Sequence, residues 1–194
     1  MVHHAIAHVT RYLNTYLKGL FDLPEDVVVV SGLLDQDGSV EPGIFNKLVV
    51  SLVNIEKEQV PSSFTRHSSV DGHLASIGFP PLHLSVYLLF SAHFPGTNYE
   101  EALKFISYTA LFYQGSPVFT HENTPDLHES LEKITMDIEN LNVRDLSSLW
   151  SVVSGRYLPS ILYKMRLITL DSQGVTKQVV SAEKVSPDVG LLRR

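Results

Sequence analysis

Residues Leu82–Leu127 read LHLSVYLLFSAHFPGTNYEEALKFISYTALFYQGSPVFTHENTPDL, which predicts a strand, a turn, a helix and a return strand. From Leu82 to His93 the side chains alternate with the period of two that places one strand face in a core. That face carries Leu82, Leu84, Val86, Leu88 and Phe90. The second face includes Tyr87 and Leu89, which we expect to be available to a partner.

The helix that follows has recognisable signals at both ends. Asn98 and Glu101 have the spacing of a capping box, in which each side chain bonds a free backbone N–H group at the helix start. Gly115 before Pro117 predicts a left-handed helix end. A branched residue would be strained there, so Gly115→Val is expected to destabilise the fold by about 1–2 kcal/mol.

Apolar periodicity predicts the remaining elements. Before the stretch quoted above they are a helix over Val2–Phe21 and strands over Val27–Val30 and Lys47–Lys57. After it they are a strand through Ile134, Met136 and Ile138, then a helix between Asn142 and Gly155, then a strand over Ile161–Leu170. The apolar face of that helix carries Leu146, Leu149, Trp150 and Val153. Asp37-Gly38 predicts a hairpin turn. The polar stretch Glu58–Gly78 predicts a long loop that becomes ordered against a neighbour.

This order of elements predicts an α+β (α/β) domain over residues 1–171, with a mostly antiparallel or mixed central sheet flanked by helices. Residues 172–194 are expected to form a C-terminal tail or extended arm, with a hairpin around Val175–Val180. There is no internal repeat and no sign of a second domain.

Composition excludes several classes of function. The 194 residues include no cysteine, which removes disulfides, thiolate catalysis and cysteine-ligated metals. A formal charge of −6 argues against general phosphate binding. The N-terminus is too polar for a secretory signal, and no apolar run approaches the ~20 residues that span a bilayer. We therefore expect a soluble protein made in the cytoplasm.

The sequence offers weak candidates for chemistry. The densest polar cluster is His121, Glu122, Asp126, His128 and Glu129. It predicts a solvated loop, with Thr120 or Asn123 bonding the local backbone, and a metal or acid–base site is the alternative. His4 and His8 lie one helical turn apart but lack the intervening Glu of a zinc-protease helix. No nucleophile elbow, phosphate loop or dinucleotide fingerprint is present.

Charge is unevenly distributed along the chain. Between His121 and Asp145 there are seven acidic residues against Lys133 and Arg144. From Gly174 onward the basic residues are Lys177, Lys184, Arg193 and Arg194, against Glu183 and Asp188. This suits head-to-tail association of copies, and ordinary solvated charge is the alternative.

Several segments together resemble a known family. They are LLFSAHFPGTNYEEALKFISYTALFYQGSPVFTHENTPDL, LSSLWSVVSGRYLPSILYKMRLITL, VVVVSGLLDQDGSV and LVVSLVNIEKE. Over about Val2 to Asp171, and with these segments in the right order along the chain, the sequence resembles the cap, or tail-terminator, proteins of extracellular contractile injection systems. These are phage-tail-like particles of the antifeeding-prophage and virulence-cassette type.

The resemblance implies a non-enzymatic structural role without cofactor, metal, nucleic acid or membrane. It implies a fold similar to phage tail terminators, which close into a six-fold ring that ends the inner tube and anchors the last sheath ring. The expected partners are other copies in a homo-hexamer, the inner tube protein and the sheath protein. Because many relatives carry an additional C-terminal region, a second cap protein is a further expected partner. The particle would be assembled in the bacterial cytoplasm and then released or anchored in the cell.

A ring needs one surface patch that docks on a different patch of the next copy. The residues we expect at subunit, tube or sheath interfaces are Phe64, Arg66, Tyr87, Leu89, Val175, Val179, Val180, Arg193 and Arg194. An exposed sheet edge is expected to accept a strand from a neighbour. Two other functions stay open: a neck or baseplate-like component, and a small metal-dependent enzyme using His121, Asp126 and His128.

Overall fold

The computed structural model describes residues 1–35, 37–58, 82–154 and 156–168 with their side chains, and the strand backbone at 68–70, 74–77, 169 and 177–180. The helices are α1 (Val2–Phe21), α2 (Tyr99–Gly115) and α3 (Val143–Val153). The strands are β1 (Val28–Val30), β2 (Lys47–Lys57), β3 (Ser68–Val70), β4 (Leu74–Ile77), β5 (His83–His93), β6 (Val118–Thr120), β7 (Leu131–Ile138), β8 (Ser160–Thr169) and β9 (Lys177–Val180).

A six-stranded sheet with the order β1-β2-β5-β8-β7-β6 forms the centre of the first compact unit, residues 1–60 and 81–170. β1 and β2 are parallel and the other neighbouring pairs are antiparallel, so the prediction of a mixed sheet in an α+β fold is confirmed. Within the described residues, no helix is long and apolar enough to cross a membrane.

The main core lies between this sheet and helices α1 and α2. The predicted core face of β5 is confirmed for Val86, Leu88 and Phe90, which are fully buried in it, whereas Leu84 is partly buried and Leu82 precedes the strand and is 37% exposed. The Phe90 ring meets Tyr113 of α2 and Tyr163 of β8, with centroids 5.6 and 5.4 Å apart. Each such side chain contributes on the order of 1.5–3 kcal/mol through burial.

A smaller core lies on the opposite face of the sheet. Trp150 of α3 is buried there, as predicted, with Leu33, Ile44, Val49, Leu89 and Leu162. The start of α3 is fixed by Asn142, whose side chain accepts from Asp145 N at 2.9 Å. Part of the second sheet face is therefore covered by the chain's own helix.

The predicted ends of α2 need correction. Asn98 is the N-cap residue, but its side chain makes no capping hydrogen bond. Gly115 is the last helical residue and does not have a positive φ, and a Cβ built on it meets nothing within 4 Å. The strain argument for Gly115→Val was therefore wrong. The predicted turn at Asp37-Gly38 is confirmed, since Gly38 has φ +81° and Gly38 N donates to Asp35 O at 3.0 Å.

The predicted long loop also needs correction, because it contains β3 and β4. These strands form a three-stranded sheet with β9 in the order β3-β4-β9, and all pairs are antiparallel. This sheet belongs to a second compact unit, residues 61–80 and 171–194. The predicted arm at Val175–Val180 falls in this unit.

Candidate assembly surfaces

A band of polar side chains crosses the second face of the six-stranded sheet beyond the smaller core. We call it the polar ladder. Its members are Asn54, Glu56, Glu58, Ser85, Tyr87, Asp137, Lys164 and Arg166. A β-bulge between Leu52 and Asn54 places Asn54 opposite Tyr87 and Glu56 opposite Ser85. Successive side chains of a strand point to opposite faces, so one extra residue moves every later side chain of β2 to the other face. As a result the second face carries Asn54 and Glu56 beyond the bulge, where an unbroken strand would place Ile55.

One half of the polar ladder is centred on Tyr87. Its hydroxyl donates to Glu56 Oε2 at 3.1 Å. The Lys164 ammonium lies 5.8 Å from the centroid of the Tyr87 ring, within the range of a cation–π contact. Burial, together with the bond to Glu56, raises the pKa of Tyr87 above its ordinary value.

The other half is centred on Glu58, which directly follows β2. Glu58 Oε1 accepts from Ser85 Oγ at 2.8 Å and lies 3.1 Å from Arg166 Nε and 3.5 Å from Lys164 Nζ. Burial would raise the pKa of Glu58, but the Ser85 hydroxyl and the two cations lower it overall. Arg166 also forms an ion pair with Asp137 at 2.9 Å.

The polar ladder thus combines three carboxylates with two cations on four neighbouring strands. The two pairs of Arg166 are the more exposed ones, and pairs of that kind are worth about 0–1 kcal/mol each, so a partner's charges can replace them at little cost. The arrangement suits recognition by charge more than it suits stabilisation. Part of the signal was present in the sequence, since Lys164 and Arg166 are polar residues two apart on a predicted strand, whereas Glu58 fell at the start of the predicted loop, two residues after Glu56.

The residues predicted for interfaces fall into three groups. Tyr87 is half-buried in the polar ladder. Leu89 is a correction: it is 1% exposed in the smaller core, covered by Trp150 and its neighbours, and so it offers no surface to a partner. Phe64, Arg66, Val175, Arg193 and Arg194 lie outside the described residues, and Val179 and Val180 lie in β9, of which the backbone is described.

At each outer strand of the six-stranded sheet, an asparagine side chain from outside the strand forms hydrogen bonds with backbone groups. At β1, Asn14 Oδ1 accepts from Val27 N and Val28 N at 2.9 and 3.1 Å. At β6, Asn123 Oδ1 accepts from Thr120 N and Asn123 Nδ2 donates to Val118 O, both at 2.7 Å. These β6 groups point away from β7, so a strand added there would have to displace the Asn123 side chain. The Asn14 and Asn123 side chains therefore occupy backbone groups that a strand added at β1 or β6 would need.

The residues proposed for a metal enzyme make structural contacts. His121 Nε2 lies 2.9 Å from Leu131 O, as part of the loop after β6. Asp126 accepts from Tyr12 Oη at 2.6 Å and forms an ion pair with Arg11, and these contacts lower its pKa. They tie the loop to α1.

His128 makes two further contacts. Its Nδ1 is 2.9 Å from Ser130 Oγ, and its ring stacks on His4 with centroids 3.8 Å apart. In the part of the chain that the structure describes, no group of three His, Asp or Glu side chains is arranged to hold a metal. The contacts favour the reading as a structural loop.

Comparison with known proteins agrees with the resemblance in the sequence. The family model described as the Pvc16 N-terminal domain matches residues 4–182. A solved structure described as "Cryo-EM Structure of an Extracellular Contractile Injection System, PVC sheath/tube terminator in extended state" matches with a TM-score of 0.54 and 14% identity. The match covers 93% of this chain and 63% of that one, and at this identity it shows a shared fold. A search of the curated proteins gave no match.

Proposed function

Because the chain belongs to the family of Pvc16 N-terminal domains, we propose that it is a structural terminator of a contractile injection particle. In this role it binds the last ring of the inner tube and the last ring of the sheath, and it stops tube growth. The observation that carries the proposal is the family match over nearly the whole chain, together with the fold shared with a PVC sheath/tube terminator.

The contacts around His121, Asp126 and His128 support a non-enzymatic role. Asp126 is bonded by Tyr12 and Arg11 of α1, and His128 is stacked on His4. A catalytic metal would have to break these contacts before it could use the side chains. The loop is better explained as the attachment of α1 to the end of the sheet.

The proposed assembly is a six-fold ring of copies, made in the bacterial cytoplasm and incorporated into a particle that is released or anchored in the cell. We assign the polar ladder as one half of the interface between copies. It is half-exposed, its charges are held in place by one another, and it lies on the sheet rather than on a loop. Such a rigid charged surface fixes the register of a neighbour more than it adds affinity.

Electron microscopy of particles from a strain that lacks this chain tests the role. Tubes of uncontrolled length, or sheaths that detach at one end, would support it when the wild-type gene restores normal particles. Particles of normal length and stability would refute it. A gold label on the chain at the baseplate end would instead favour a baseplate-like component.

Complementation with Arg166→Glu tests the polar ladder. This substitution removes the pairs with Glu58 and Asp137 and reverses the local charge, so we expect folded subunits that fail to restore uniform tubes. Lys104→Glu is the matched control, because Lys104 lies on α2 and pairs with Glu101 of the same helix at 2.6 Å. Normal particles with Arg166→Glu would exclude the polar ladder as an interface while leaving the terminator role intact.

A further inference from the structure

An open groove of about 430 Å³ lies beside the ends of β5 and α3. Its walls are mostly apolar and include Leu34, Phe45, His93, Phe94, Arg156 and Leu158. Two of these side chains are unusually accessible for their type, since Phe45 is 55% exposed and Leu34 38% exposed. A groove of this size suits a few side chains of a peptide.

The backbone holds one wall of the groove open. Asn46 has φ +57°, and its N–H donates to His93 O at 2.9 Å. This left-handed residue reverses the chain directly after Phe45. The Phe45 ring then meets the His93 ring in an edge contact, with centroids 5.1 Å apart. The exposed phenylalanine is therefore fixed rather than free to fold back onto the core.

The opposite wall is a closed hairpin. Asp35 N donates to Ser39 O at 2.8 Å, and Leu34 pairs with Val40 in an isolated bridge. Gly38 supplies the positive φ that the turn requires. Two walls held by backbone bonds form a preformed site, which reduces the entropy lost when a ligand binds.

One cation lies at the rim. Across the described ranges, Arg156 has no carboxylate within ion-pair distance, although its backbone is fixed by hydrogen bonds with Ser154. A guanidinium next to apolar walls is complementary to a segment that combines apolar side chains with a carboxylate. The chain as a whole carries a charge of −6, so affinity for an acidic segment would have to come from this local cation.

We propose that this groove binds an extended apolar segment of another protein that carries an Asp or Glu side chain. Its apolar side chains contact Phe45 and Leu34, and its carboxylate pairs with Arg156. This binding site is separate from the polar ladder and does not depend on the terminator role, because it can be measured on the isolated chain.

Selection from a random peptide display library on the immobilised protein tests the proposal. We expect wild-type protein to enrich peptides with an acidic residue between apolar ones. Arg156→Glu should shift the enriched residue to Lys or Arg, and Phe45→Ser should reduce enrichment about tenfold. The matched controls are Arg144→Glu and Tyr99→Ser, which change exposed residues outside the groove and should select the same peptides as wild type. Circular dichroism confirms that each variant is folded.

The best enriched peptide is then synthesised with its acidic residue and with the matching amide. Fluorescence anisotropy should show about tenfold weaker binding of the amide to wild type, and no difference between the two with Arg156→Glu. No enrichment above blocked resin, or enrichment that ignores both groove substitutions, would overturn the proposal. So would an enriched motif found in this chain itself together with concentration-dependent dimers, because the occupant would then be a second copy.

Discussion

Substitution of Asn14 is the sharpest test of how α1 is joined to the six-stranded sheet. Asn14 is 8% exposed in the middle of α1, and its Oδ1 accepts from two backbone N–H groups of the segment that begins β1. Its Nδ2 donates to Asp26 Oδ1 at 2.7 Å. One amide side chain therefore satisfies two buried donors and orients itself through a third bond.

Asn14→Leu leaves the N–H groups of Val27 and Val28 without an acceptor in a region closed to water. Each unsatisfied buried group costs about 1–3 kcal/mol, and the better helix propensity of Leu returns about 0.5 kcal/mol. We expect a loss of about 2–5 kcal/mol in the free energy of unfolding, measured by urea denaturation at constant m-value. A loss below about 1 kcal/mol would refute the reasoning, because it would mean that water reaches these groups.

Exchange of the two polar residues provides the matched control. Asn14→Asp keeps the acceptor but places a second carboxylate against Asp26, so it should also destabilise. Asp26→Asn alone should change little, because an amide oxygen can still accept from Asn14. In the double variant an Asn at 26 can donate to an Asp at 14, so most of the lost stability should return. Additive losses in the double variant would contradict this account of the junction.

Three further predictions concern other buried and terminal positions. Tyr163→Phe should leave the free energy of unfolding unchanged or raise it by about 1 kcal/mol, because the buried Tyr163 hydroxyl has no hydrogen-bond partner in the described structure. Tyr113→Phe should instead lower it by about 1 kcal/mol, because it removes the hydrogen bond to Val9 O. Denaturant melts of the two variants compare these effects. Burial lowers the pKa of His8, with Arg11 adding to the effect, so the unfolded chain protonates first and wild-type stability should fall as the pH drops below about 6.5. Thermal melts from pH 8 to pH 5 should show a shallower fall with His8→Leu. Gly115→Ala should stabilise α2 by about 0.5 kcal/mol, and a lower melting temperature would show that the glycine is required there.

The charges around His8 set the sign of its pH dependence. Arg11 and His121 oppose its protonation, while Asp126 favours it, and burial outweighs Asp126. Because the folded protein holds His8 neutral, its contribution to stability is complete above the ordinary pKa and declines as the pH falls towards the lowered one. A steeper loss of stability on the alkaline side would contradict this sign.

Regular periodicity predicted the helices and long strands well. The predicted bounds of α1 and β2 are those observed, Val2–Phe21 and Lys47–Lys57. In these segments the burial of one face and the local preference of the chain favour the same structure, so a single sequence is enough. The Asp37-Gly38 turn was predictable for the same reason, since few residues accept a positive φ.

Features that depend on contacts distant in the chain were not predictable. Leu89 looked like a surface residue because periodicity gives the two faces of a strand but not which element covers each one. Asn14 looked like an unremarkable polar residue in a helix, because the N–H groups it bonds are 13 and 14 residues later. Gly115 had a typical stop signal, but α2 ends with Ser116 in a non-helical conformation that does not need a left-handed glycine.

The two asparagines at the sheet edges restrict how copies of this chain can associate. A strand added at β6 would have to replace the two hydrogen bonds of the Asn123 side chain. A strand added at β1 would find the Val28 N–H already donated to Asn14 Oδ1. Strand addition gains affinity from main-chain hydrogen bonds, and that gain is small where the same groups are already bonded. The polar ladder and the groove are two surfaces of this unit on which side chains rather than backbone would carry the recognition. Side-chain recognition distinguishes one partner from another by charge and shape, which suits a protein proposed to stop an assembly at one end.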